Sequence, residues 1–458
     1  MLLKKNNKIS DFSRRDFLKK SVSAASTAIV WPTIVPSSVF GSDAPSNRIN
    51  IAFIGVGNQG FRHDMPGFLQ YDDVRVVAVC DVSEEWEFNG KKVGRRPAVK
   101  RVNKHYAQKS RSGSYHGCEG YNDFRKVLAR DDVDAVVIVT PDHWHSIITV
   151  MAARAGKDIY CEKPLAFSVV EGRAMVEAVR RYNVILQTGS HHRSSQHIRF
   201  ACELVRNGRI GKLKRAVTYL PLHPKRFSMA KRQPVPVPEG FDYDMWLGPA
   251  PKAPYCNDRC FFSFRFISDY AGGQTTNNGA HCHDIVQWAN GTEHSGPVEF
   301  EDLGSQFPAK GALFDTVTKV HFRAVYANGM ELICKPVAPS GPTVAARFEG
   351  TEGWIDVRYW AGLKTYPESL AKSVIGPNEV NLYQSNDHYR DFIDCIKTRR
   401  DPVAPVEVGH RSASLCHLAN IAMRLKQKLF WDPHKERFKN SEQANRMLSR
   451  PMRTPWHL

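Results

Sequence analysis

Four short segments of the chain carry side chains able to act on a small molecule. Gly55-Val56-Gly57-Asn58-Gln59-Gly60 is a G-x-G-x-x-G turn, whose unpaired backbone N–H groups can hold a pyrophosphate. Thr140-Pro141-Asp142-His143-Trp144-His145 and Glu162-Lys163-Pro164 each follow an apolar run. Gly279-Ala280-His281-Cys282-His283-Asp284 adds two further imidazoles and a carboxylate. A lysine beside the positive ring of an oxidised nicotinamide loses proton affinity, so it can take or return a hydroxyl proton. Taken alone, Lys163 would be a surface lysine at a strand end; the company it keeps is what matters.

These residues need a scaffold, and the pattern from Ile49 onward supplies one. Ile49, Ile51, Phe53 and Ile54 read as a buried strand, Val74 to Cys80 as a second, and Val133 to Val139 as a strand covered on both faces. Asp158 to Cys161 and Val184 to Thr188 continue the series, with helices between them; Ser168 and Glu171 form a capping box, and Gly156 closes the helix before it. Alternating strands and helices predict a doubly wound parallel sheet, with ligands beyond the carboxyl ends of its strands. The glycine turn, strand end and Glu162-Lys163 segment then border one cleft. Asp81 ends the second strand 21 residues after Gly60. A carboxylate there accepts from both ribose hydroxyls and repels a 2′-phosphate, which selects NAD over NADP. Residues 84–116 read as a helix plus a basic excursion. After residue 190 strands dominate: Val320 to Tyr326 alternates, Asn328-Gly329 signals a hairpin, and Met330 to Cys334 and Trp354 to Val357 follow. This predicts an open, mainly antiparallel sheet with one covered face. Residues 221–254 are Pro-rich and loop-like, Tyr389 to Lys397 and Ser412 to Lys426 are helical, and the basic tail from Trp431 is expected to lie on the surface.

Together the glycine turn, the Thr-Pro-Asp-His-x-His and Glu-Lys-Pro segments and Gly279 to Ile285 resemble the Gfo/Idh/MocA oxidoreductase family over residues 48–425. Gln187-Thr-Gly-Ser190, Arg206-Asn-Gly-x-Ile-Gly211 and Trp246-Leu-Gly-Pro249 are similar to its exported branch. The resemblance implies an N-terminal Rossmann domain and a C-terminal α/β domain with a large open sheet, through which members assemble as homodimers or homotetramers. It implies substrates that are sugars, sugar derivatives or cyclitols. Carried over, Lys163 moves the proton and His281 faces the substrate; Gly55, Gly57, Asn58, Gln59, Gly60, Asp81, Thr140, Pro141, His145, Glu162 and Lys163 line the cofactor; Arg193, Arg265, Tyr270, Asn277, His281 and Asp284 line the substrate. One position departs. Many members have Asp four residues before the histidine, where this chain has Asn277. An amide orients a hydroxyl but cannot take its proton. Three functions follow: a carbohydrate oxidoreductase, a glycosidase or epimerase working by transient oxidation, or a sugar-binding protein with a vestigial cofactor site. Glycosidase members are expected to differ at Glu-Lys-Pro, and this chain keeps Lys163.

Composition narrows the partners. The chain has 458 residues and a formal net charge of +18, but the basic residues are scattered and no nucleic-acid-binding pattern accompanies them. No run approaches the ~18 apolar residues of a membrane span, so no stable membrane anchor is expected. Residues 1–45 carry seven Lys/Arg against three Asp. Ser13-Arg14-Arg15-Asp16-Phe17-Leu18 ahead of a mild apolar run resembles a Tat export signal, which predicts a periplasmic protein. The organisation expected is a leader over 1–45, the NAD-binding domain over 46–190, a substrate and oligomerisation domain over 191–425, and a basic tail over 426–458. Cys256 and Cys260 form a lone C-x3-C, too little for zinc. Histidines 191, 192, 281 and 283 raise a metal site, but hydrogen-bonding pocket histidines are the simpler reading, and no metal is expected.

Overall fold

The computed structural model describes residues 48–222, 233–337, 344–359 and 362–458. The twin-arginine segment lies outside these residues. The first sheet is built from β1 (Ile49–Ile54), β2 (Val74–Cys80), β5 (Glu119–Tyr121), β6 (Ala135–Ile138), β7 (Asp158–Cys161) and β8 (Leu186–Thr188), with a hairpin of β3 (Trp86–Phe88) and β4 (Lys91–Val93) inserted after β2. Its order is β5-β2-β1-β6-β7-β8, parallel throughout. This is the doubly wound order, and its switch point falls between β1 and β6, where the chain direction across the sheet reverses. The alternation of β1 explains why both faces are covered. Ile51 and Phe53 point into one apolar cluster with Phe68, Tyr160 and Phe392, whereas Ala52 and Ile54 point into another with Ile147 and Met175.

The second sheet contains, among the described residues, β9 (Leu213–Pro221), β10 (Glu299–Asp302), β11 (Phe322–Val325), β12 (Glu331–Val337), β13 (Val344–Gly350), β14 (Trp354–Arg358), β15 (Gly362–Tyr366), β16 (Leu429–Asp432) and β17 (Arg437–Phe438). The order is β15-β14-β13-β9-β12-β11-β10-β16-β17, with β9 and β12 parallel and the other pairs antiparallel. Period-two burial fits one covered face: Phe322 and Ala324 enter a core shared with Ile198, Ile285 and Leu418, while Arg323 between them pairs outward with Glu299 and Glu331.

Three local expectations are revised and a fourth is placed in the fold. The helix after β6, expected from about Ser146, begins at Asp142, so His143, Trp144 and His145 lie in its first turn. Within 84–116 the basic stretch folds as the β3–β4 hairpin and the helix Arg95–Lys109; Asn89 and Gly90, with φ of 49° and 72°, make the turn. The helix expected over Tyr389 to Lys397 spans His388–Thr398 and inserts Phe392 and Ile393 into the core of the first sheet. The segment from Trp431 is no surface drape: Trp431 is buried in β16, and Trp456 packs on Trp144 with ring centroids 4.7 Å apart. Arg450 lies 3.7 Å over the Phe167 ring and pairs with buried Glu171.

Candidate active site

The glycine turn after β1 is built around close approaches. Gly55 has φ of 91°, and a Cβ there would sit 2.6 Å from the carbonyl oxygen of Val139; one on Gly60 would sit 2.5 Å from the Gly55 oxygen. Both positions therefore demand glycine for packing. Gly57 differs. A Cβ there would meet nothing closer than Trp86 at 3.8 Å, so its backbone faces open cleft, the cradle a pyrophosphate needs. Asp81 anchors the turn as well as lining the cleft: its Oδ2 accepts from Val56 N–H and its Oδ1 from Ser83 N–H, each at 2.8 Å. Each oxygen keeps a further acceptor site for a ribose hydroxyl. Thr140 Oγ1 is buried without a hydrogen-bond partner among the described residues, and Thr140 borders the same cleft. The residues present thus fit a dinucleotide.

An aromatic wall closes this end of the cleft. Trp86, from the hairpin, stacks on Phe261 at 4.2 Å, and Phe88 stacks on Phe262 at 5.9 Å. Phe261 holds φ at 56°, an uncommon conformation for a bulky residue, and one that tends to mark functional sites. Phe241, Met245 and Trp246 extend the wall.

At the other end stands Lys163, next to the cis bond it forms with Pro164 at the end of β7. Its Nζ donates to the main-chain oxygen of Asn277 at 3.0 Å and to Asn277 Oδ1 at 3.3 Å. Two N–H bonds directed at one residue leave the third tetrahedral direction of a neutral amine, its lone pair, free for the cleft. Burial lowers the Lys163 pKa; nearby Glu162 opposes this and Arg265 adds to it. His281 and His191 line the cleft with it. Burial, with Lys163 nearby, drives His281 well below the ordinary imidazole range and His191 to about 4. Beneath the amine, burial raises Glu162 to about 7 against the pull of Lys163, and raises the fully enclosed Asp64, which accepts from Tyr389 and Gln59. Arg265 lines the cleft, stacks over Phe262 and Phe264, and has its pKa lowered by burial. Burial thus pushes each of these groups toward its uncharged form.

Of the residues singled out in the sequence, Gly55, Gly57, Asn58, Gln59, Asp81, Thr140, Pro141, Glu162, Lys163, Arg265, Asn277 and His281 border this one cleft. Four others do not. Arg193 and Asp284 turn away from it into a bidentate pair at 2.7 and 2.9 Å, each about 3% exposed or less, with Ser412 completing the acceptor's shell. A buried charge needs a partner, and these two satisfy one another. Tyr270 is fully enclosed behind the cleft against His143 and Trp246. His145 bridges the carbonyls of Pro164 and Thr140 at 2.8 and 2.9 Å, so it ties two strand ends together from behind. Gly60 packs under the turn. His283 sits against Cys416 and Phe322, in the core. Of the wall, only Trp246 entered the sequence reading, as part of a family segment, and Asp64 did not; the Asn89-Gly90 pair was the one local signal for the hairpin that delivers Trp86.

Residues 49–190 match the oxidoreductase family's NAD-binding Rossmann fold, and residues 221–458 match the oxidoreductase family's C-terminal alpha/beta domain. Among curated proteins, Glycosyl hydrolase family 109 protein 1 of Shewanella sp. (strain ANA-3) is 30% identical over 166 residues, 35% of this chain and 32% of its own length. The match thus spans about a third of that relative. Levoglucosan dehydrogenase of Pseudarthrobacter phenanthrenivorans is 36% identical over 92 residues, 20% of this chain and 24% of its own. Among solved structures, the aldose-aldose oxidoreductase from Caulobacter crescentus complexed with glycerol superimposes with a TM-score of 0.59 at 19% identity, over 84% of this chain and 99% of the other. A levoglucosan dehydrogenase in complex with NADH and levoglucosan gives 0.57 at 19% identity, with the same coverage. At these identities the superpositions establish the fold.

Proposed function

The chain belongs to the Gfo/Idh/MocA oxidoreductase family, and on that footing we propose that it oxidises a hydroxyl, or reduces the corresponding carbonyl, of a sugar, sugar derivative or cyclitol. NAD, when bound, supplies the hydride acceptor or donor. The observation that carries the reading is the amine of Lys163, held by both oxygens of Asn277 across from His281. Its free lone pair takes the hydroxyl proton, and the neutral His281 ring hydrogen-bonds the substrate oxygen and fixes its direction. Asn277 orients the base rather than relaying the proton, because a side-chain amide neither takes up nor gives away a proton near neutral pH. The names of the levoglucosan and aldose relatives favour a carbohydrate substrate.

The twin-arginine leader adds to the proposal that the protein is exported folded, with its cofactor already seated. A resident cofactor must be restored in each cycle, by a second substrate or by returning the hydride to the same one. The relatives named glycosyl hydrolase family 109 support the latter as a second reading. The test is to release and quantify NAD(H) from purified protein, then screen sugars for a change in reduced-nicotinamide absorbance. Net oxidation changes the absorbance; transient oxidation converts substrate with none; a binding protein does neither. Lys163→Met should retain the cofactor and lose at least about 100-fold in turnover, the lower end of what general acid–base catalysis supplies. Unchanged turnover in that variant removes Lys163 from the chemistry.

A further inference from the structure

The short turn after β8, residues His191–Ser194, presents two adjacent imidazoles toward the first turn of the helix Gly279–Asn290, which carries His281. The ring centroids of His191 and His192 are 4.3 Å apart, and those of His281 lie 4.9 and 4.8 Å from them. One nitrogen from each ring lies within 4.8 Å of the other two. We infer that His191, His192 and His281 form a binding site for a first-row divalent metal ion of the zinc class, open to the cleft at a fourth position.

Tetrahedral zinc with Zn–N bonds of about 2.0–2.1 Å holds its nitrogens about 3.4 Å apart, so nitrogens now within 4.8 Å of one another must close by at most about 1.4 Å. The rings suit the task chemically. A ligand imidazole must be neutral, and burial places His191 near 4 and His192 near 3, so no proton has to be displaced at neutral pH. The Gly189 carbonyl lies within hydrogen-bonding reach of the His191 ring, an arrangement that selects the tautomer and aims the other nitrogen. His192 is 6% exposed and packs its ring, tilted by 33°, against Tyr359 at 4.6 Å, whereas His191 and His281 line the cleft. The buried ring therefore closes the back of the site, and the open position faces the space beside Lys163. Three imidazoles with one open position are the donor set of a metal that binds a substrate oxygen. The fourth histidine counted in the sequence, His283, takes no part, since its ring packs on Phe322. The site stands on the three rings; it shares His281 with the proposed substrate contact, so metal binding is read by its own signal and not by turnover.

The test uses the full chain, stripped with chelator and titrated with cobalt(II) followed by zinc(II). The expected result is the visible absorption of tetrahedral cobalt at one equivalent, bleached by zinc. His192→Phe keeps the ring packing against Tyr359 and removes both nitrogens; it should weaken cobalt binding by at least about 100-fold, more than the loss of a mere supporting partner. Circular dichroism checks that this variant is folded. Lys163→Met should keep the cobalt band while losing turnover, which separates this site from the catalytic reading. No band with the wild-type chain, a band unchanged in His192→Phe, or a band lost in Lys163→Met overturns the proposal.

Discussion

Replacing Asn277 by aspartate puts a carboxylate where Lys163 now meets a neutral amide. The separation is short: Lys163 Nζ lies 3.3 Å from Asn277 Oδ1. At that distance, with an effective dielectric constant of about 20, Coulomb's law gives about 5 kcal/mol in favour of the protonated amine. Relaxation and the cost of burying the new charge reduce this, and the displacement seen when a carboxylate and a cation pair closely is about 1–3 pH units. The sign follows from the role. Lys163 acts as the base in its neutral form, which burial favours in the wild-type chain. The aspartate holds it protonated, so the acid limb of the kcat profile for oxidation moves to higher pH by about 1–3 units, and kcat at neutral pH falls about 10- to 1000-fold. Activity should recover at high pH. The assay is initial rate of reduced-nicotinamide formation against pH, in chelator, with a sugar found by screening. An unmoved limb would mean that the amine is not held by Asn277 during turnover. A rise in activity at neutral pH would mean that aspartate can serve as the base itself, and that the amide is a handicap rather than an orienting group.

Other positions yield sharper structural tests. Gly57→Ala should leave unfolding stability within about 0.5 kcal/mol of wild type yet abolish dinucleotide binding, whereas Gly55→Ala, driven into the Val139 carbonyl at positive φ, should lose about 2 kcal/mol or more; equal stability losses would refute the distinction. Arg193→Ala and Asp284→Ala should each destabilise the protein by about 3–5 kcal/mol, because each strands a buried charge. A raised KM with unchanged chemical denaturation would return these two residues to the substrate site. For Glu436, burial alone would raise the pKa, but hydrogen bonds from His410 and Arg173 pull it down from 4.5 to about 2. A depressed carboxyl stabilises the fold above its unfolded pKa and loses that contribution as pH falls through the folded one, so Glu436→Gln should cost about 2–3 kcal/mol at pH 7 and nothing near pH 2. A gap that stays constant across that range would rule out the linkage.

What the sequence made legible was what local periodicity encodes. A strand covered on both faces must be apolar at every position, so β6 announces itself, and the Asn328-Gly329 turn between β11 and β12 is visible because a tight hairpin needs positive φ. The glycine turn was readable for the same reason: Gly55 has no alternative at φ of 91° against the Val139 carbonyl. Pairings between distant segments left no such trace. Arg193 and Asp284 are 91 residues apart, and each alone looks like a polar residue beside a catalytic histidine. Asp81 sits at a ribose-reading position, but that it also clamps the turn through Val56 N–H depends on how β1 and β2 lie together. The wall over the cofactor cleft needs a hairpin from one domain and a loop from the other, so Trp86 and Phe261 carry no signal until they meet.

The electrostatics of the cleft connect these parts. Burial pushes Lys163 down, His281 and His191 down, and Glu162 and Asp64 up, each toward its uncharged form. One mechanism, removal from water, thus drives bases and acids alike, and the aromatic wall and the Trp456–Trp144 contact help to enforce it. In a site so far removed from water, a charge that arrives is felt strongly and weakly screened. The departure at Asn277 belongs to the same design. An aspartate would be a fixed negative charge on the one amine that must stay neutral to accept a proton, and the amide supplies the same two-point grip without it. On this reasoning Asn277 is no sign of a decayed site. It accepts from the Lys163 amine at two points without adding a charge beside it.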